Sequence, residues 1–184
     1  MDKTIVTSTA VLLEAIYFAA TAHGSQSRKG NGGEPYINHL IEVVILLSTV
    51  GKVTDTDTLI AAVLHDSLED TSVTAADILD KFGEQVLLYI EALTDDKTLS
   101  LSERRAMQLA HIATACQQVK LIKLGDHISN IGSLPTSWDK GRLEDYIAWS
   151  YKVAKACFTS SSELAYEYEH RYKQALYDIT LLVK

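Results

Sequence analysis

Apolar residues recur every three and four positions through most of the 184-residue chain, and only two prolines, Pro35 and Pro135, interrupt the pattern. That spacing gathers apolar side chains on one face of an α-helix, whereas a half-buried strand alternates every second position. The chain therefore reads as all-α, a single-domain helical bundle. The pattern predicts helices at about 9–23, 38–50, 57–70, 75–81, 84–93, 102–117, 119–132, 141–157 and 161–181. Three starts carry the spacing of a capping box: Thr74 with Asp77, Ser100 with Glu103, and Ser160 with Glu163. Loops are short, and neither a repeat nor a linker divides the chain.

A chain of this length can bury roughly 70% of the surface it exposes when unfolded. The 47% hydrophobic and 22% charged content suits a folded, soluble protein and not a disordered one. A formal charge of −7 opposes sequence-independent nucleic-acid binding, which needs excess Lys and Arg to displace counterions. Cys116 and Cys157, both set in apolar helical patterns, read as reduced core thiols and favour the cytoplasm. The apolar N-terminal segment is broken by Glu14 and lacks a charged leader, so it reads as a helix and not a signal peptide. No uninterrupted apolar run reaches the roughly 18 residues a membrane span requires.

The stretch AAVLHDSLEDTS, residues 61–72, then stands out. An apolar run, LIAAVL, leads directly into His65, Asp66, Glu69 and Asp70, with no basic residue until Lys81. On one continuous helix, His65 with Glu69 and Asp66 with Asp70 form two adjacent rows. Carboxylates at a helix C-terminus oppose the macrodipole, and an unpaired buried carboxylate costs several kcal/mol. A divalent cation relieves both penalties. His39, in PYINHL, and Asp126, in KLIKLGDHISN, supply a further imidazole and carboxylate after similar apolar approaches. With His65 and Asp66 they make a mixed nitrogen and oxygen set suited to manganese, iron or magnesium.

The loop SQSRKGNGGEP, residues 25–35, combines three glycines with Arg28 and Lys29. Close backbone approach beside two cations suits a phosphate-bearing ligand, although the same composition also makes a plain surface connection. His23 reads as a helix-end residue, while His111, His170 and the tyrosines of AYEYEHRY read as packing or solvated helix faces. Trp138 and Trp149 read as core or as a protein contact.

HGSQSRKG, EPYINH, AAVLHDSLEDT, FGEQV, LTDDKT, KLIKLGDHISN and RLEDYIAW follow one another in an order that resembles the small alarmone hydrolases over about residues 10–158. These are HD-domain, stand-alone relatives of the hydrolase domain of Rel/Spo-type stringent-response enzymes. The resemblance implies an all-α bundle whose manganese ion serves removal of the 3′-diphosphate from guanosine tetra- and pentaphosphate, (p)ppGpp. It implies His39, His65, Asp66 and Asp126 as metal ligands, with Glu69 and Asp70 orienting and activating water. Arg28, Lys29, Lys97, Asn130, Arg142 and Tyr146 would meet the nucleotide. His127 and Gly132 depart from the pattern, which commonly has a cation and an arginine there, and so remove two positive charges near a phosphate site.

Other readings keep the metal site but change the substrate to (p)ppApp, the 2′-phosphate of NADPH or a nucleoside monophosphate. A further one is a nucleotide-binding regulator without turnover, against which the water-activating pair argues. The expected partner is a small nucleotide, with neither nucleic acid nor membrane, and the sequence admits a homodimer.

Overall fold

A computed structural model describes residues 7–28 and 33–181. Its elements are helical throughout the described residues: α1 (Ser8–His23), α2 (Tyr36–Ile45), a π-helical turn (Leu46–Val50), α3 (Thr56–Leu64), α4 (Ser67–Asp70), α5 (Ala75–Phe82) and α6 (Glu84–Glu91). They continue with α7 (Leu101–Thr114), α8 (Gln117–Ile131), α9 (Lys140–Cys157), a 3₁₀ turn (Phe158–Ser160) and α10 (Ser162–Leu181).

The helix starts follow from local chemistry. Thr7, Asp55 and Asp139 accept backbone N–H groups at the starts of α1, α3 and α9. Thr74 with Asp77 and Ser100 with Glu103 form complete capping boxes, as their spacing predicts. The third expected cap is displaced by one residue. Ser160 closes the 3₁₀ turn by donating to Cys157 O, and Ser161 Oγ instead accepts Leu164 N–H at 3.2 Å.

The apolar run before the acids is the centre of the bundle. Every residue from Thr58 to Leu64 is buried, because α3 is covered by α1, α2, α6 and α8. A helix apolar all round has no other stable place. α8 packs in turn against α2, α9 and α10. It approaches α2 closely at Gly125, where an added Cβ would stand 2.3 Å from Leu47 Cδ1. Leu47 lies in the π turn, whose wider backbone bond, Gly51 N–H to Leu46 O at 3.0 Å, ends α2.

Two expectations are corrected here. The predicted helix 57–70 breaks at His65 and Asp66: Asp66 takes φ −97° and ψ 0°, and the four-residue α4 restarts beyond it. His65 and Asp66 thus occupy a turn in place of two rows of one helix. Of the two cysteines, only Cys157 is in the core; Cys116, at the start of α8, is exposed. Among the described residues, no helix is long and apolar enough to cross a membrane.

Candidate metal centre and nucleotide cavity

His39 projects from the first turns of α2, His65 from the end of α3, Asp66 from the following turn, and Asp126 from α8. One donor atom from each of His39, His65 and Asp126 lies within 4.8 Å of the others. His39 Nε2 is 3.3 Å from Asp126 Oδ1, and His65 Nε2 is 3.2 Å from Asp66 Oδ2 and 3.7 Å from Asp126 Oδ1. Asp66 Oδ2 is 4.0 Å from His39 Nε2, so the second carboxylate borders the same space.

The ring orientations suit a cation. His65 Nδ1 is 2.8 Å from Ala62 O, an acceptor only, so Nδ1 carries a hydrogen and Nε2 is the nitrogen that would offer a lone pair to a cation. That Nε2 is buried and has no hydrogen-bond partner. His39 Nδ1 is likewise occupied, 2.8 Å from Ser129 Oγ, leaving Nε2 facing the carboxylates. Burial opposes charge on His65, but Asp66 and Asp126 outweigh it and hold its pKa well above the ordinary imidazole value. Burial also opposes ionising Asp66 and Asp126, yet their histidine partners hold both well below the carboxylate range. The pocket therefore attracts positive charge, and a divalent cation held there would take the place of the His65 proton.

Glu69 and Asp70 lie at the rim. Glu69 Oε2 accepts Asp95 N–H at 3.2 Å, and burial, with the charges of Asp66, Asp95 and Asp70, raises its pKa despite that bond. Lys97 answers the absence of a nearby cation in sequence: its ammonium bonds Asp70 and stands 3.8 Å from Glu69 Oε1. Burial would lower the Lys97 pKa, but the bond to Asp70 and the surrounding carboxylates raise it.

Beside the metal centre is a cavity of about 470 Å³ lined by Gln26, Arg28, Tyr36, Asp70, Asn130, Trp138 and Tyr146, among others. Its volume is in the range of small-molecule sites. Asn130 links it to the metal centre by donating Nδ2–H to Asp126 Oδ1 at 2.6 Å. Tyr146 sits between Trp138 and Trp149, and the Arg142 guanidinium stacks on Trp138 with 4.2 Å to the ring centroid.

The structure places Arg28 differently from the loop reading. An antiparallel bridge between Ser27 and Pro35 pinches the loop base and turns Arg28 inward, leaving it 8% exposed. Its Nη2 donates to Ser129 O at 2.8 Å and Ser129 Oγ at 3.1 Å, while the residue still lines the cavity. Lys29 lies outside the described residues. Trp138 is half-buried: it packs against the core, as expected, and also lines the cavity. Sequence reasoning passed over Tyr36, Glu42 and Ser129, each three residues from His39 or Asp126 along a helix. That spacing was the available signal, since i and i+3 share a face.

Residues 15–146 match the HD domain family. The chain belongs to the HD-domain family. Among its HD-domain relatives, guanosine-3′,5′-bis(diphosphate) 3′-pyrophosphohydrolase MESH1 of Xenopus tropicalis is 40% identical over 167 residues, spanning 89% of this chain and 93% of the relative. The Homo sapiens protein of the same name is 38% identical, over 90% of this chain and 94% of its own. A solved structure titled as a metazoan ortholog of SpoT that hydrolyzes ppGpp superposes with a TM-score of 0.85 at 34% identity, covering 90% of this chain and 95% of that one.

Within this HD-domain site the two departures have structural explanations. His127 is buried, bonds Ser150 Oγ through Nδ1 at 2.8 Å, and has its pKa pushed down to about 4 mainly by burial, so it stays neutral. At Gly132 an added Cβ would stand 2.7 Å from Arg171 Nη1. A guanidinium from α10 therefore fills the space where a side chain at 132 would begin.

Proposed function

We propose that this protein is a small alarmone hydrolase that removes the 3′-diphosphate of guanosine tetra- and pentaphosphate, with His39, His65, Asp66 and Asp126 holding one Mn²⁺ ion. The observation that carries the reading is the convergence of those four side chains beside a nucleotide-sized cavity that Asp70 lines. The names of the MESH1 relatives support the substrate. A soluble cytoplasmic setting agrees with a nucleotide substrate.

A bound divalent cation supplies Lewis acidity and makes water acidic enough to act as a nucleophile near neutral pH. The protein supplies position and charge. Glu69, with its raised pKa, is suited to take the proton of the attacking water, while Asp70, held by Lys97, orients it. Water adds across the 3′ phosphoester: its oxygen goes to phosphorus, the P–O3′ bond breaks, and the ribose 3′ oxygen leaves with a proton as GDP or GTP. Lys97 and Arg142 oppose the phosphate charge, while Asn130 and Tyr146 line the approach. Arg28 acts from behind, through Ser129 and Asn130.

The test is product identification with Mn²⁺ and a panel of ppGpp, pppGpp, ppApp, NADPH and nucleoside monophosphates. Pyrophosphate is expected from the guanosine 3′-diphosphates. Orthophosphate from NADPH or a monophosphate, without pyrophosphate from ppGpp, rejects the assignment. Asp66→Ala should lose metal and turnover together, whereas Glu69→Ala should keep metal and lose turnover; an active, metal-free Asp66→Ala protein refutes the ligand set.

A further inference from the structure

Arg171 lies on α10, beyond the residues that match the HD domain family. Its Nη1 donates to Glu42 Oε1 at 2.7 Å and to Ile128 O at 3.3 Å, and its Nε donates to Glu167 Oε1 at 2.8 Å. Glu42 is one turn beyond His39 on α2. Its other oxygen, Oε2, accepts from Ser129 Oγ at 2.6 Å and lies 3.4 Å from Arg28 Nη1. Ser129 Oγ in turn is 2.8 Å from His39 Nδ1.

We infer that Arg171 is a positioning residue for the metal centre: by fixing the Glu42 carboxylate in place it sets the direction of the Ser129 hydroxyl, and thereby the tautomer and aim of His39. The inference rests on the assignment of His39 as a metal ligand.

Proton counting carries it. An ionised carboxylate only accepts, so the short contact between Ser129 and Glu42 requires Ser129 to donate its single hydrogen there. Ser129 then has none to give His39, and its lone pairs receive Arg28 Nη2–H and His39 Nδ1–H. In the neutral imidazole the remaining nitrogen, Nε2, is then the one with the lone pair, and it faces Asp126. Without the Arg171 bond to Oε1 the Glu42 carboxylate is free to move off Ser129, the hydroxyl can turn to donate to His39 Nδ1, and both His39 tautomers become allowed. Against the effect of burial, hydrogen bonds from Arg171 and Ser129, with the charges of Arg171 and Arg28, lower the Glu42 pKa, in keeping with its role as acceptor. Partners of this kind behind a ligating histidine typically change metal affinity by about 10- to 100-fold.

The position of Arg171 over Gly132 provides a control specific to this arrangement. A side chain built at 132 starts where the Arg171 guanidinium now lies, and the backbone there is ordinary right-handed helix with φ −75°. An arginine at 132 can therefore replace the charge when position 171 is emptied.

The experiment compares wild type, Arg171→Met, Arg171→Lys and the double variant Gly132→Arg with Arg171→Ala. Mn²⁺ affinity is measured by calorimetry, and the His39 tautomer is read in metal-free protein by imidazole ¹⁵N NMR. Arg171→Met should bind Mn²⁺ about tenfold more weakly and lose the single Nδ1–H tautomer, while the other two variants recover both properties to within about threefold. Wild-type affinity and an unchanged tautomer in Arg171→Met overturn the inference, as does a loss that neither Arg171→Lys nor the relocated arginine repairs. Should Arg171→Met fail to fold, Glu42→Gln carries the same two readouts, since its amide can donate to Ser129. Failure of wild type itself to bind Mn²⁺ is a different result, striking the ligand assignment of His39.

Discussion

Tyr36 donates its phenolic hydrogen to Asp66 Oδ2 across 2.5 Å, from one helical turn before His39. Its ring also stacks on His23, with centroids 5.1 Å apart, so one tyrosine ties α1, α2 and the turn after α3 together at the metal centre. Burial, then the Asp66 charge, raises the Tyr36 pKa far above its ordinary value, which keeps it a donor at any physiological pH. Tyr36→Phe preserves the ring and removes the donor. Mn²⁺ affinity should fall about tenfold with little change in helicity; calorimetry and far-ultraviolet circular dichroism check this, and an unchanged affinity shows that Asp66 is held by packing alone.

Gly125→Ala should destabilise the protein by about 1–3 kcal/mol, because the new methyl group would overlap Leu47 in the close contact between α8 and the π turn. The measurement is urea denaturation. In a Leu47→Val background the cost of Gly125→Ala should shrink, since the overlapping atom has been removed; equal costs in both backgrounds would assign the effect to the helix backbone.

Acid sensitivity should trace partly to the two capping boxes. Hydrogen bonds from Thr74 lower the Asp77 pKa, and those from Ser100 lower that of Glu103. Each folded-state pKa lies below its unfolded value, so the stabilisation is present above the unfolded values of about 4 and is lost as pH falls through the folded ones. The paired variant Asp77→Asn with Glu103→Gln should therefore melt with a shallower dependence on pH below about 4.5 than wild type. Parallel curves of melting temperature against pH would contradict this.

The two thiols should differ sharply. Burial pushes the Cys157 thiol up to about 12, and its side chain is inside the core, whereas Cys116 is exposed. At pH 8 a colorimetric disulfide reagent should titrate one thiol in native protein and two in denaturant, and Cys116→Ser should abolish the native reaction. Rapid native labelling of both would contradict the buried placement of Cys157.

The sequence was most legible where the relevant interactions are short-range. Helical periodicity, the Thr74 and Ser100 capping boxes, and the burial of LIAAVL all follow from contacts within a few residues or from a helix without a polar face. The acid-rich end of that run raised the need for a cation, and His39, His65 and Asp126 do converge. The turn at His65 and Asp66 was less legible, because the same residues also fit a continuous helix and only packing against α2 and α8 selects the break.

What the chain alone determined was therefore its all-helical character, its buried third helix and its stock of metal-binding groups. Tertiary structure decided who meets whom: Lys97 on Asp70, Arg28 turned into α8, and Arg171 on Glu42 from 129 positions away. The physical reason is range. Periodicity and capping act over one or two helical turns, whereas a charge finds its partner only after packed helices bring distant side chains together and remove the water that would otherwise compete.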